Sequence, residues 1–560
     1  MVNPVILIPG LAGSRLKTHN KNQSEEGVTG GKLWVGQDMA PPPPGQTIHK
    51  VDEQTEVEYP PSNIVGLNAP VYPVTIDQPP ENPVVTNWKK NLKLKDINGI
   101  TPEVEADQNP PLTKDDPNIQ FNRFVDGIQG IKNLAVSQSE LDAILFGINN
   151  PLTPEEDRKE LQELYAGLQK VNYFSELVTA LLDTDEYRGE AALLPANLVA
   201  LPYDWRIGPT GLEQRYQYFS KLKSTIEELY KAKPFIGKPD TTPVVIIAHS
   251  MGNRVTQYFL EWIKNDPSAG QAWIDEHIER YIAVSPPWIG APLAIRLLST
   301  DDGFNLGGAS LSGIKKALQS FSSIPSLLPV TTAQYKYFNT TDFSFIRNEG
   351  VAESQTIAPG DFRAETTEKI LRLGGAESTT LKYIKDYYEQ DPNFSDGEFG
   401  SKAVTSPPIK NIDVIYSTGF NTPVGAYYYQ EKRELKVASY LGTPEQPVED
   451  GNFIVINGVR LEKADTTQQL ISEDGVTNSG DGVVAYGSLA YFRRWQLHRD
   501  VPKQTITAHP FAKPQGTEPP ELVEKGIDLS HNAILRHPEV IKLIFSLLGI
   551  SKATPTPVSV

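Results

Sequence analysis

The chain has no cysteine and only three methionines in 560 residues. The first absence removes disulfides, thiolate metal sites and a cysteine nucleophile together, and it fits a reducing compartment. No window approaches the roughly 18 apolar residues that a spanning helix needs. The N-terminal "MVNPVILIPG" enters a strand-like run within a few residues, without a basic segment and apolar leader. These absences point to a cytoplasmic or N-terminally processed protein whose contact with a membrane is peripheral. Positive charge is also short: 52 Lys and Arg face 69 Asp and Glu, a formal net charge of −17. A surface that acidic argues against nucleic acid and gives no help in approaching anionic lipid, while leaving neutral or zwitterionic lipid open. The histidines lack ligand spacing, and "STDDGFN" alone is too little for calcium, so no metal or other cofactor is expected.

What is present is ample apolar and aromatic material: 39% hydrophobic residues, with 23 Tyr, 20 Phe and 7 Trp, enough for a large core. "PVILIPGLAGSRL" reads as a short, fully apolar strand running into a glycine-containing loop. From residue 17 to 131, stretches such as "MAPPPPGQ" and "YPPSNIVGLNAPVYP" carry too much proline for a regular central element. This segment is expected to be an inserted subdomain with short strands. Helical periodicity begins near Ser137, in "SQSELDAILFGI" and "TPEEDRKELQELYAGLQ". "TGLEQRYQYFSKLKSTIEELYKA" predicts one amphipathic helix, feeding the strand of "TPVVIIAHS". Then follow the helix "GNRVTQYFLEWIKN", the strands of "IERYIAVSPP" and "IDVIYSTGF", and a last helix, "PEVIKLIFSLLG". Such alternation points to an α/β fold with a mostly parallel central sheet and helices on both faces. The expected core is 1–16, 132–294 and 407–550, with a cap or lid insertion at 295–406 and a frayed tail at 551–560.

The chemistry is sought first in "VVIIAHSMGNRV". Four β-branched residues, Val244 to Ile247, lead to Ser250, flanked at two positions by the small residues Ala248 and Gly252. That is the form of a nucleophile elbow, with alanine in place of the first glycine of G-x-S-x-G. A nucleophilic serine needs a base, an orienting acid and two N–H donors for the oxyanion. In this arrangement the acid and then the histidine follow the serine along the chain. His531, in "DLSHNAILRHPEV", introduces the last helix; His509, in "TAHPFAK", is its rival. His277 reads as solvated or locally paired, His498 as a surface residue and His537 as the start of the last helix. For the acid, Asp481 in "NSGDGVVAYGS" is favoured over Asp474 in "SEDGVT", because two valines return the chain to packed structure. The amides of Met251 and of Leu11, in "IPGLAGS", are the candidate oxyanion donors.

In this order the motifs resemble the lecithin:cholesterol acyltransferase family, which includes phospholipid:diacylglycerol acyltransferases and lysosomal-type phospholipases. "PVILIPGLAGSRL", "LVALPYDWRIGP", "IIAHSMGN", "AVSPPWIGAP", "VIYSTGFNTPVGAYYY", "GDGVV" and "HNAIL" carry the resemblance nearly end to end. It implies an α/β-hydrolase fold and acyl transfer on lipid esters. The substrates implied are a glycerolipid donor and an alcohol acceptor, with water as the acceptor in a phospholipase. It makes Ser250 the nucleophile, Asp481 the acid and His531 the base, with Leu11 and Met251 at the oxyanion. Tyr203 to Arg206 would support the loop beside the site, and Trp288 would either line the substrate pocket or pack in the core. The disulfides of secreted members cannot form here, and the long stretch between Asp481 and His531 keeps His509 in contention. In "ASLSGIKKALQSFSSIPSLLP", Leu311, Ile314, Leu318 and Phe321 fall at helical spacing, fitting either a lid or a core-packing helix.

Overall fold

The computed structural model describes residues 3–11, 16–18, 32–33, 104–106, 173–187, 197–231, 241–301, 315–329, 344–347, 363–364, 367–376, 378–395, 402–431, 434–451, 453–463, 479–498, 501, 503–513, 518–524 and 526–550. The helices expected within 137–169, Leu311, Ile314, Asp474 and the tail lie outside the described residues. Within the proline-rich segment, Leu16–Thr18 pairs antiparallel with both Lys32–Leu33 and Val104–Ala106.

Short apolar runs build the central sheet. They are β1 (Val5–Ile8), β2 (Leu198–Ala200), β3 (Val244–His249), β4 (Ile278–Val284) and β5 (Asn411–Thr418). An excursion holding β6 (Thr422–Glu431), β7 (Phe453–Ile456) and β8 (Val459–Glu462) precedes the last strand, β9 (Thr505–Ala512). The sheet order is β9–β5–β4–β3–β1–β2, and every neighbouring pair is parallel. Every residue of β1 and β3 is buried, which is why these strands read as continuous apolar runs rather than alternating ones. β9 is different, with exposed positions along it and Pro510 within it, as an edge strand tolerates. That pattern hid it from the sequence reading.

The helices that frame the site are α1 (Ser175–Leu182), α2 (Pro209–Tyr216), α3 (Tyr218–Lys231), α4 (Met251–Asn265) and α5 (Pro538–Leu547). The single helix expected across 210–232 is thus two. Gln217 breaks it with a left-handed φ of 52°. Glu213 then accepts the N–H groups of Phe219 (2.7 Å) and Ser220 (3.1 Å), satisfying donors that the new helix start exposes. Among the described residues, no helix is long and apolar enough to cross a membrane.

A second sheet was not foreseen. β6 pairs antiparallel with β8 and with Glu434–Val437, β8 with β7, and β7 with Val448–Asp450. Ser344–Arg347 joins it parallel to β6, with Ala426 opposite Ser344. It therefore crosses the boundary expected at 406/407, because pairing between strands so distant in sequence leaves no local signal.

Buried polar groups fasten the layers together. Arg206 and Asp204 are both wholly buried and pair in two places, Nε–Oδ1 at 2.8 Å and Nη2–Oδ2 at 2.6 Å. The Arg206 carbonyl accepts Ser323 N–H at 3.2 Å, Ser322 Oγ accepts Gly208 N–H at 2.9 Å, and Phe321 meets Trp205 edge-on at 5.7 Å. Leu318 and Phe321 are buried, so the described part of the expected lid is packed into the core beside this loop. Arg254 of α4, also wholly buried, donates to the carbonyls of Trp288 and Ala403, both at 2.8 Å. Removing one member of a buried pair leaves the other charge uncompensated. Arg206→Met should therefore lower unfolding free energy by about 3–5 kcal/mol in denaturant titrations. A native midpoint would show that the pair carries no such load.

Candidate active site

The end of β3 sets the geometry. Its six residues are locked between β1 and β4, and the chain must reverse at once into α4. Ser250 makes that turn with φ 53° and ψ −126°, a conformation that L-residues rarely adopt. Its N–H donates to the Val284 carbonyl at 3.0 Å. Asn253 Nδ2 donates to the carbonyls of Ser250 (3.0 Å) and Val284 (2.9 Å), while its Oδ1 accepts the Tyr281 hydroxyl at 2.7 Å. α4 can approach β1 because Gly252 has no side chain: a Cβ there would lie 2.5 Å from the Ile8 carbonyl oxygen. Gly10 plays the same part on the facing loop, where a Cβ would meet Ser250 Cβ at 2.8 Å. Tyr203 braces that loop from beneath, its hydroxyl donating to the Pro9 carbonyl at 2.8 Å.

Two segments far away in sequence meet the serine. His531 Nε2 lies 2.8 Å from Ser250 Oγ, and His531 Nδ1 lies 2.7 Å from Asp481 Oδ2. Asp481 is wholly buried; its Oδ1 accepts the N–H groups of Val483 (3.0 Å) and Val484 (2.7 Å). The histidine loop is tied to the acid turn by His531 N–H donating to the Asp481 carbonyl at 3.0 Å. Buried Arg536, five residues on, grips Glu176 of α1 through Nε (2.7 Å) and Nη2 (3.0 Å). With the carboxylate accepting from Nδ1–H, the neutral imidazole presents a lone pair on Nε2 to the serine hydroxyl. Such a run of bonds can withdraw the hydroxyl proton as Oγ attacks a carbonyl carbon.

Among the described residues, His509, His277 and His537 have partners of their own. His509 Nε2 lies 2.7 Å from Asp413 Oδ1, a carboxylate that also pairs with Arg280. His277 is buried rather than solvated, stacked on Trp273, with Nδ1 lying 3.0 Å from the Trp273 carbonyl. His537 precedes α5, its Nδ1 accepting Glu539 N–H at 3.3 Å. His498 ends the helix Phe492–His498. Leu11 sits in the turn beyond Gly10, and Met251 is the first residue of α4. Trp288 is wholly buried, edge-on to Trp495 at 4.8 Å and to Tyr281 at 6.2 Å.

Sequence reasoning overlooked His249. It is buried beside Tyr173 and Phe174, and its Nε2–H donates to the His531 carbonyl at 2.9 Å. Burial, and then the neighbouring His531, push its pKa down to about 3. The unfolded chain therefore gains a proton near pH 6.5 that the folded protein refuses until about pH 3. Stability falls as pH drops through that window, with a limiting slope of about 1.4 kcal/mol per pH unit. His249→Gln should flatten the fall in urea titrations from pH 7 to 4; parallel curves for both proteins would refute the assignment.

Comparison with known proteins gives a consistent set of relatives. A family model described as "Lecithin:cholesterol acyltransferase" matches residues 160–526, stopping short of β1 and of His531. Phospholipid–sterol O-acyltransferase of Arabidopsis thaliana is 27% identical over 395 residues, 60% of this chain and 57% of that one. Lysosomal phospholipase A and acyltransferase of Homo sapiens is 29% identical over 266 residues, 46% and 51% of the two chains. Phospholipid:diacylglycerol acyltransferase of Schizosaccharomyces pombe is 35% identical over 152 residues, 24% and 22%. The aligned part thus spans little more than half of the first two relatives and about a fifth of the third.

Proposed function

The chain belongs to the lecithin:cholesterol acyltransferase family, and from that premise we propose that it transfers a fatty acyl group from a glycerolipid ester to an alcohol through an acyl-serine intermediate. The observation that carries this reading is the pair of hydrogen bonds joining Ser250 to His531 and His531 to Asp481. In the first half-reaction His531 Nε2 takes the hydroxyl proton while Ser250 Oγ bonds to the ester carbonyl carbon. The negative oxygen so formed leans on the amides of Leu11 and Met251. Losing one such donor raises a barrier by about 3–4 kcal/mol. Asp481 holds the imidazole in the required tautomer and offsets its positive charge. The tetrahedral adduct collapses, His531 returns the proton to the departing lysolipid oxygen, and the acyl group stays on Ser250. In the second half-reaction His531 deprotonates the acceptor hydroxyl, which attacks the acyl-serine; the bond to Ser250 Oγ breaks, His531 returns the proton to that oxygen, and the new ester leaves.

Water in place of the alcohol yields a free fatty acid with the same residues, and the name of the human relative, a phospholipase A and acyltransferase, favours keeping that outcome. A non-catalytic lipid binder would have no need for a serine, histidine and aspartate joined in this way. The substrate would be met at a lipid surface, where a net charge of −17 favours zwitterionic over anionic headgroups.

Vesicles of acyl-labelled phosphatidylcholine, with and without sterol or diacylglycerol, separate these outcomes. The native protein should form labelled sterol or diacylglycerol ester, and fatty acid alone when no acceptor is present. Ser250→Ala should abolish both products, and Asp481→Asn should slow them by about 10⁴-fold. Ester formation by the alanine variant at the native rate would reject the nucleophile. Fatty acid as the sole product at saturating acceptor would make the protein a phospholipase.

A further inference from the structure

Asp481 stands in a turn that the parallel sheet does not hold. Its two chain neighbours are gripped from the second sheet, at a single rung. Thr422 at the start of β6 is the register partner of Glu462 at the end of β8. The Glu462 carboxyl oxygen Oε2 accepts Gly480 N–H at 2.8 Å and Tyr486 N–H at 3.0 Å. The Thr422 hydroxyl accepts Gly482 N–H at 2.9 Å and donates to the Phe420 carbonyl at 2.8 Å. The residue before the acid and the residue after it thus each give their amide hydrogen to one member of that pair. Backbone bonds add to the grip, with Phe420 N–H donating to the Gly480 carbonyl at 3.1 Å. Thr422 and Glu462 are both buried, so water does not compete for these groups.

We propose that Glu462 and Thr422 are positioning residues that fix the acid turn and, through it, the orientation of Asp481 toward His531. This inference rests on the acyl-serine reading above. An ordinary packing contact would not need a carboxyl group here, since burying one is costly and a nonpolar side chain fills space without that cost. What a carboxyl supplies is an oxygen able to take two amide hydrogens at once, on either side of the acid. Burial, reinforced by the charge on Asp481, pushes the Glu462 pKa up to about 8. The other Glu462 oxygen, Oε1, lies 3.3 Å from the same Tyr486 N–H, so both carboxyl oxygens face amide donors of the acid turn. Glutamine keeps one oxygen able to accept these amide hydrogens; alanine removes both. The second sheet, built partly from Ser344–Arg347 well before the serine's partners in sequence, is in this view part of the catalytic frame.

The test is covalent labelling of the full chain with a fluorophosphonate, in which Ser250 Oγ bonds to phosphorus, fluoride leaves and His531 takes the proton. Mass spectrometry gives the maximal labelling rate and the half-saturating probe concentration separately, and a thermal melt reports folding. Glu462→Ala should cut the maximal rate by about a hundredfold, the size of loss that misplacing a catalytic group by about 1 Å produces, at unchanged half-saturation. Glu462→Gln should restore the rate to within about threefold of native, since it keeps the acceptor. Should the alanine variant fail to fold, Thr422→Val decides, with an expected loss of about tenfold. A folded Glu462→Ala labelled at the native rate would overturn the proposal. So would Glu462→Gln falling as far as alanine, or Thr422→Val matching native where alanine does not fold. A native protein that takes no probe at Ser250 would remove the acyl-serine reading and this inference with it.

Discussion

The arrangement depends on one unfavourable backbone conformation. A serine at φ 53° and ψ −126° stores on the order of 1–3 kcal/mol of strain, and it persists only where the surroundings over-determine it. They do so here from four sides. Val284 on the neighbouring strand takes the serine's amide hydrogen, Asn253 clamps the carbonyls of both, Gly252 lets α4 press against β1, and Gly10 lets the facing loop close over the turn. Deep in α4, Arg254 and Gln257 spend their polar groups on carbonyls of distant loops, which fixes the helix that the strained residue must start.

The position of Ser250 is thus a property of the core, while those of Asp481 and His531 are not. Asp481 and His531 arrive on segments outside the parallel sheet, and polar ties do for them what strand pairing does for the serine. Arg536 holds the histidine loop to α1, and His249 holds the His531 carbonyl from within the elbow itself. Apolar contact alone would leave such loops free to slide. Directional bonds to backbone atoms remove that freedom at modest net stability per bond.

Much of this was legible because its causes are local. Val5–Ile8 and Val244–His249 are covered on both faces and so read as unbroken apolar runs. Ser250, Asp481 and His531 sit in turns whose small residues mark them. What stayed hidden has non-local causes. β9 is an edge strand with proline in it, the break at Gln217 is supported by a side-chain cap, and the second sheet joins Ser344 to Ala426. His249 reads as part of the elbow motif, and nothing in "VRLEKAD" says that Glu462 is buried beneath an acid turn 18 residues later. For Trp288 the family resemblance left a pocket role and a core role open, and its rings meet those of Tyr281 and Trp495 through contacts that no local pattern announces.

The distances along the chain between the three groups bear on how the protein is made. His531 follows Ser250 by 281 residues and Asp481 by 50. At ordinary elongation speeds of about 5–20 residues per second, roughly 15–60 s separate synthesis of Ser250 from synthesis of His531. Throughout that interval a nascent chain carries Ser250 without His531. On the acyl-serine reading proposed above, translation order alone keeps the site incomplete until its last member has been made.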